Sequence, residues 1–177
     1  MSKRIILLGV LCIIFQLSHT QNSVDQKALA QVLVKNASEM ASLLNSGDYK
    51  GFLKYIHPIR ISAGGGEAKM ITLLNNQNAQ LKSKGVQIKG TVFDQPSEIV
   101  KSKNELQCTI SQHTELKPAK GRVVTHTTLI AISNDNGKSW KFVDASNLDM
   151  AIIRKMFPNL SSKITIPPKQ QPTVYKD

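Results

Sequence analysis

Two long alternating runs, NELQCTISQHTEL (Asn104–Leu116) and RVVTHTTLIAIS (Arg122–Ser133), are separated by only the five residues Lys117 to Gly121. They constrain the fold more than any other part of the chain. Both are dense in β-branched residues and free of internal breakers. The intervening KPAKG supplies turn chemistry, so the pair predicts a long antiparallel hairpin. With a period of two, Leu106, Cys108, Ile110, Gln112, Thr114 and Leu116 share one face, read as inward; Glu105, Gln107, Thr109, Ser111, His113 and Glu115 share the other. A turn centred between Ala119 and Lys120 sets Ile110 opposite Leu129, Gln112 opposite Thr127, Thr114 opposite Thr125 and His113 opposite His126. Shorter strands are predicted around the hairpin in VQIKGTVF (86–93), EIV (98–100) and KSWKFVD (138–144).

The preceding sequence reads as helical. Apolar residues three or four apart from Val24 to Asn45 predict an amphipathic helix that Gly47 ends. Asp48 caps a second helix, Tyr49 to Ile56, which His57-Pro58 closes, because the residue before a proline disfavours helical geometry. Ile59 to Ser62 reads as a short extended piece, and three glycines, Gly64 to Gly66, break it. A third helix follows over Glu67 to Lys82 with Met70, Leu73, Leu74 and Leu81 inward. Beyond Asp144 a short helix from Leu148 to Met156 is expected, then an extended or disordered proline-rich tail from Ile166. Helices followed by antiparallel strands give an α+β class, with N-terminal helices packed on a strongly curved sheet in one domain over residues 21–165.

At the N-terminus, Lys3 and Arg4 precede an apolar run, Ile5 to Phe15, and a more polar stretch to Thr20. This is the order of a secretory signal peptide, with cleavage between Ser18 and Gln21. Its loss leaves 21 of the 23 basic residues against 12 acidic ones, a formal charge of +9, and one cysteine, Cys108. The expected location is therefore periplasmic or secreted, and the chain has no internal disulfide to rely on. Its lysines are scattered and lack aromatic interleaving, so no nucleic-acid partner is expected. An acidic envelope, a glycan surface or plain solvation each fit the charge. His113 and His126 have no evident further ligands, and no metal or cofactor is expected.

The turn Ser133-Asn134-Asp135-Asn136-Gly137-Lys138-Ser139-Trp140 resembles the Asp-box hairpin, S-x-D-x-G-x-x-W, of sialidase propellers, where the box is structural and repeated. Here it occurs once and reads as a well-formed hairpin. A register pairing Ser133 with Lys138 sets Leu129 beside Phe142 and Thr127 beside Asp144. Gln112, Thr127 and Asp144 then form a polar cluster at the mouth of a pocket floored by Ile110, Leu129, Ala131, Trp140 and Phe142. Three roles are open for Asp144: a general base near an apolar floor, a cap on the start of the last helix, or a hydrogen bond to Thr127. On the outer face Val124, Ile130 and Ile132 call for cover, from the last helix or from a second copy in a homodimer.

The element order, Gly47-Asp48-Tyr49 before the second helix, His57-Pro58 after it and the SNDNGKSWKF hairpin resemble the nuclear transport factor two-like superfamily, whose α+β cone also serves ketosteroid isomerase and scytalone dehydratase. The likeness spans Val24 to Asp144 and is architectural. It implies a pocket between the sheet and the helices over it, which Tyr55 and His57 approach from the second helix and Asp144 from the sheet. Three functions follow from it: a non-catalytic domain binding a small apolar or amphipathic ligand; an isomerase- or dehydratase-type acid–base enzyme with Asp144 as base and Tyr55 or His57 as donor; or a dimerising subunit without a ligand.

Overall fold

The computed structural model describes residues 6–176, with side chains from Asp25 onward, so the expected leader over residues 1–20 lies outside the residues whose side chains are described. Among the described residues no helix is long and apolar enough to cross a membrane. The elements are α1 (Ile6–Ser46), α2 (Tyr49–Leu53), α3 (Pro58–Ala63), α4 (Glu67–Ser83), β1 (Gln87–Phe93), β2 (Val100–Ser102), β3 (Glu105–Lys117), β4 (Arg122–Ser133), β5 (Lys141–Asp144), α5 (Met150–Met156) and β6 (Thr173–Tyr175). They form an α+β fold around an antiparallel six-stranded sheet that is not closed.

The sheet is one long hairpin with divided edges. β3 and β4 pair from Leu106↔Ser133 to Leu116↔Val123, in the register the sequence predicts: Ile110↔Leu129, Gln112↔Thr127, His113↔His126 and Thr114↔Thr125. The free edge of β3 is shared by β1 near the turn and β2 at the far end. The free edge of β4 is shared by β6 near the turn and β5 at the far end. Each face carries its own core. Leu33, Ala37 and Met40 of α1 join Phe52, Leu53, Cys108, Ile110, Leu129, Ala131, Trp140 and Phe142 on the inner face. On the outer face Ile130, Ile132 and Val143 are covered by Ile153, Phe157, Leu160 and Ile164. At roughly 25 cal/mol per Å² of apolar surface removed from water, two such layers are the main source of the domain's stability. Cys108 is a core residue, and burial pushes its thiol up to about 12.

Several expectations are corrected. Ile59 to Ser62 is helical, inside α3. His57 is its N-cap, its Nδ1 accepting from the Ile59 amide at 3.3 Å, and Pro58 takes the first helical position, where its missing N–H costs nothing. Between α2 and α4, bridge pairing among the described residues is limited to one parallel bridge, Ile56↔Phe142, to β5. On α4, Leu73 points outward, 48 % exposed, while Met70, Ile71 and Leu74 face the core. Ile130 and Ile132 lie beneath α5 and the segment after it, at 0 % and 2 % exposure. The final helix, not a second copy, is their cover, and of the three residues assigned to a dimer only Val124 stays half-exposed. The tail is not free throughout, because Thr173–Tyr175 pairs with Arg122–Val124.

The hairpin between β4 and β5 is longer than predicted, and this moves the register by two. Ile132↔Lys141 is the last pair, so Leu129 meets Asp144 and Ala131 meets Phe142. The cause is the Asp-box itself. Ser133 Oγ donates to Asp135 Oδ1 at 2.8 Å and accepts from Gly137 N at 2.9 Å. Asp135 takes the Ser139 amide at 2.9 Å and the Ser139 hydroxyl at 2.7 Å. These bonds hold a seven-residue loop, Asn134 to Trp140, in place of a tight turn. Gly137 sits at φ 84°, which favours glycine, and a Cβ there would also run into Leu29.

The bonds from Ser139, supplemented by Ser133 and the Lys138 amide and opposed by burial, hold the Asp135 carboxyl down at about 2, against an ordinary value of 3.8. The lower value belongs to the folded state, so this stabilisation is complete above the ordinary value and is lost as pH falls towards about 2. Asp135→Asn should therefore unfold more easily at neutral pH, by on the order of 1 kcal/mol after solvent screening. In urea melts across acidic pH the gap to wild type should narrow between about pH 4 and pH 2. A gap that stays constant over that range would assign the effect to shape rather than charge.

Candidate functional site

A cavity of about 180 Å³ lies between α1, the segment from α2 to Ile56, and the inner face of the sheet. Its apolar side is built by Met40, Ala41 and Leu44 from successive turns of α1, with Phe52, Ile56, Leu129 and Phe142. Its polar side is a row across the sheet: Thr91 on β1, Gln112 and Thr114 on β3, Thr127 on β4 and Asp144 on β5. The row follows from strand parity. These residues are inward-facing in the observed registers, beyond the point where the apolar core has filled the concavity. Thr91 and Thr114 share a hydrogen bond at 3.2 Å, and Gln112 Nε2 donates to Thr114 Oγ1 at 3.3 Å. Asp144 Oδ1 accepts the Ser146 amide at 2.9 Å, so it caps the turn after β5 while its residue still borders the cavity.

Five of the eight sequence-predicted ligand residues meet here: Gln112, Thr127, Leu129, Phe142 and Asp144. The two-residue slip leaves Asp144 beside Leu129 rather than Thr127, but an even slip keeps it on the same face. Trp140 does not line the cavity. It is fully buried at the other end of the inner core, where its amide donates to Asn36 Oδ1 of α1 at 3.0 Å.

Tyr55 and His57 also lie outside the cavity lining, and each contributes chiefly through its backbone. Phe142 N donates to Tyr55 O at 2.7 Å and His57 N donates to Phe142 O at 3.0 Å, which fastens the chain after α2 alongside β5. Burial first, then the nearby Glu39 carboxylate of α1, raises the pKa of the Tyr55 hydroxyl. The His57 imidazole caps α3 and meets the Phe157 ring edge-on, centroids 5.0 Å apart. Burial lowers its pKa, against Glu105 and with help from Lys141, which suits a nitrogen that must accept an amide proton. Asp144 is thus not joined to either proposed proton donor.

Among the lining residues that sequence reasoning missed are Met40, Ala41, Leu44, Phe52, Thr91 and Thr114. The first three were legible as helix-face residues, but nothing in their spacing marks where a helix leaves its sheet uncovered.

A larger hollow, about 380 Å³, lies between α1 and residues 95–99. It is a surface groove bridged at one side by Gln26, which donates to Ile99 O at 2.8 Å and accepts from Ile99 N at 3.1 Å. Its lining mixes the polar Gln26, Lys27, Gln31, Gln95 and Glu98 with the apolar Ala30, Val34, Pro96 and Ile99. Among the described residues no three His, Cys, Asp or Glu side chains are grouped to hold a metal ion. No protein-family model matches the chain, and no curated protein sequence matches it significantly.

Proposed function

We propose that this protein is an exported binding domain, of the nuclear transport factor two-like type, that holds a small amphipathic molecule between α1 and the sheet. The observation that carries the reading is the two-sided lining of the 180 Å³ cavity: Met40, Leu44, Phe52 and Phe142 on one side, Thr91, Gln112, Thr127 and Asp144 on the other. Such division of labour, apolar surface for affinity and a few convergent polar groups for orientation, characterises small-molecule sites. An apolar cavity of roughly 150 Å³ accommodates a benzene-sized molecule, so the expected ligand is a single ring or short branched chain bearing one polar end. Binding is favoured over acid–base catalysis because Tyr55 and His57 both lie outside the cavity lining and the His57 ring is committed to the α3 cap.

Fragments of that size with a hydroxyl or amide end should raise the melting temperature of the protein without its leader. Ala41→Leu, which fills the cavity from α1, should abolish the rise. Gln112→Leu, which keeps the volume but removes a polar anchor, should weaken binding by about tenfold, the worth of one hydrogen bond to a buried group. Fragments that stabilise Ala41→Leu as well as wild type, or a library that stabilises neither, would sink the reading.

A further inference from the structure

On the outer face, four side chains from four parts of the chain form one hydrogen-bonded line. Asp94, just after β1, meets His113 of β3: Oδ2 to Nε2, 2.9 Å. His113 Nδ1 meets His126 Nδ1 of β4 at 2.8 Å, with the two rings edge-to-face. His126 Nε2 meets Thr173 Oγ1 of β6 at 3.1 Å. The line ends on the tail strand, whose other attachments are slight. β6 has three ladder pairs with Arg122–Val124, all three of its residues are exposed, and Tyr175 lies under the Arg122 guanidinium at 4.1 Å.

The line tolerates only certain proton counts. With both rings neutral, His113 donates from Nε2 to Asp94 and accepts at Nδ1 from His126, whose Nε2 accepts the Thr173 hydroxyl; all three contacts are made. With one added proton, His113 donates at both nitrogens, His126 accepts at Nδ1 and donates from Nε2 to Thr173; again all three are made. A second added proton places an N–H on both Nδ1 atoms, 2.8 Å apart, and neither can accept. The contact must open. Asp94 holds His113 by charge, whereas only a neutral hydroxyl holds His126, so His126 is the ring that leaves.

We propose that Asp94, His113, His126 and Thr173 form a proton-operated latch that keeps the tail strand on β4 and releases it when the imidazole pair takes its second proton. Release frees the β4 edge at Arg122–Val124 for an incoming strand. The other titratable groups around the pair are Lys89 on β1, Glu115 on β3 with its partner Arg122 on β4, and Lys169 and the Tyr175 phenol on the tail.

The test is amide hydrogen exchange on the full mature chain at about pH 7.5 and about pH 5, compared as protection factors so that intrinsic rates cancel. Protection of residues 173–175 and of the facing β4 amides should fall at least about tenfold on acidification, while the β3–β4 ladder from Ile110↔Leu129 to Leu106↔Ser133 keeps its own. In His126→Gln, which cannot take up the second proton, and separately in His113→Gln, tail protection should become independent of pH. The second variant keeps the test alive if the first fails to fold. Tail protection that is unchanged at the lower pH in wild type, or that falls equally in both variants, would overturn the latch.

Discussion

Phe142→Ala should destabilise the protein by about 3–5 kcal/mol, the usual cost of truncating a fully buried aromatic ring. Phe142 is 0 % exposed and lies where three parts of the fold meet: the sheet through Ala131, the chain after α2 through Ile56, and the floor of the cavity. Its backbone bonds to Tyr55 and His57 survive the substitution, so the loss measures packing. For a domain of this size the melting temperature should fall by on the order of 10 °C. Phe142→Leu, which retains most of the volume, should cost less than half as much. A loss below about 1 kcal/mol in Phe142→Ala would mean that the inner core collapses readily onto the vacancy and that the cavity is not a fixed feature.

Gln107→Ala should cost about 2–4 kcal/mol, chiefly through the hydrogen bonds it removes. Gln107 is completely buried on the outer face of β3. Its amide donates to Asn159 O at 3.1 Å and to Glu105 Oε2 at 2.6 Å, and its carbonyl accepts the Ser161 amide at 2.9 Å. Asn159 O keeps a second donor, the Ser102 hydroxyl at 2.7 Å, so the group left unpaired is the Ser161 N–H. The cost should therefore concentrate in the segment carrying Leu160 and Ile164 over Ile130 and Ile132. Denaturant melts give the total, and exchange at the Ser161 amide shows where it falls. Uniform loosening of the whole domain with Ser161 still protected would contradict this assignment.

Much of this architecture is legible in the sequence because strand parity is unforgiving. A β3 face carrying Cys108 and Ile110 can only be buried one way, and the short KPAKG turn then fixes every pair to Leu116↔Val123. Where side chains, rather than periodicity, set the geometry, the reading fails. Ser133 and Asp135 gather amides into a long loop and shift β5 by two, a length that the Asn-Gly pair alone does not reveal. His57-Pro58 ends one helix and also begins another, and the same dipeptide serves both purposes. Of the candidate site, Gln112, Thr127, Leu129, Phe142 and Asp144 were within reach because parity places them. Tyr55 and His57 were misassigned because proximity in the chain says nothing about which way a side chain turns after a helix ends.

The bond between Asn36 and the Trp140 amide joins positions 104 residues apart, whereas β3 and β4 meet across a turn of a few residues. Closing so long a loop carries an entropic penalty that the hairpin escapes. The hairpin can thus form early and serve as a template, while α1 must wait for the last third of the inner layer, Trp140 and Phe142, before it has a surface to settle on. The first long helix of the chain is in this sense among the last pieces to become native, and the order of synthesis and the order of folding run in opposite directions.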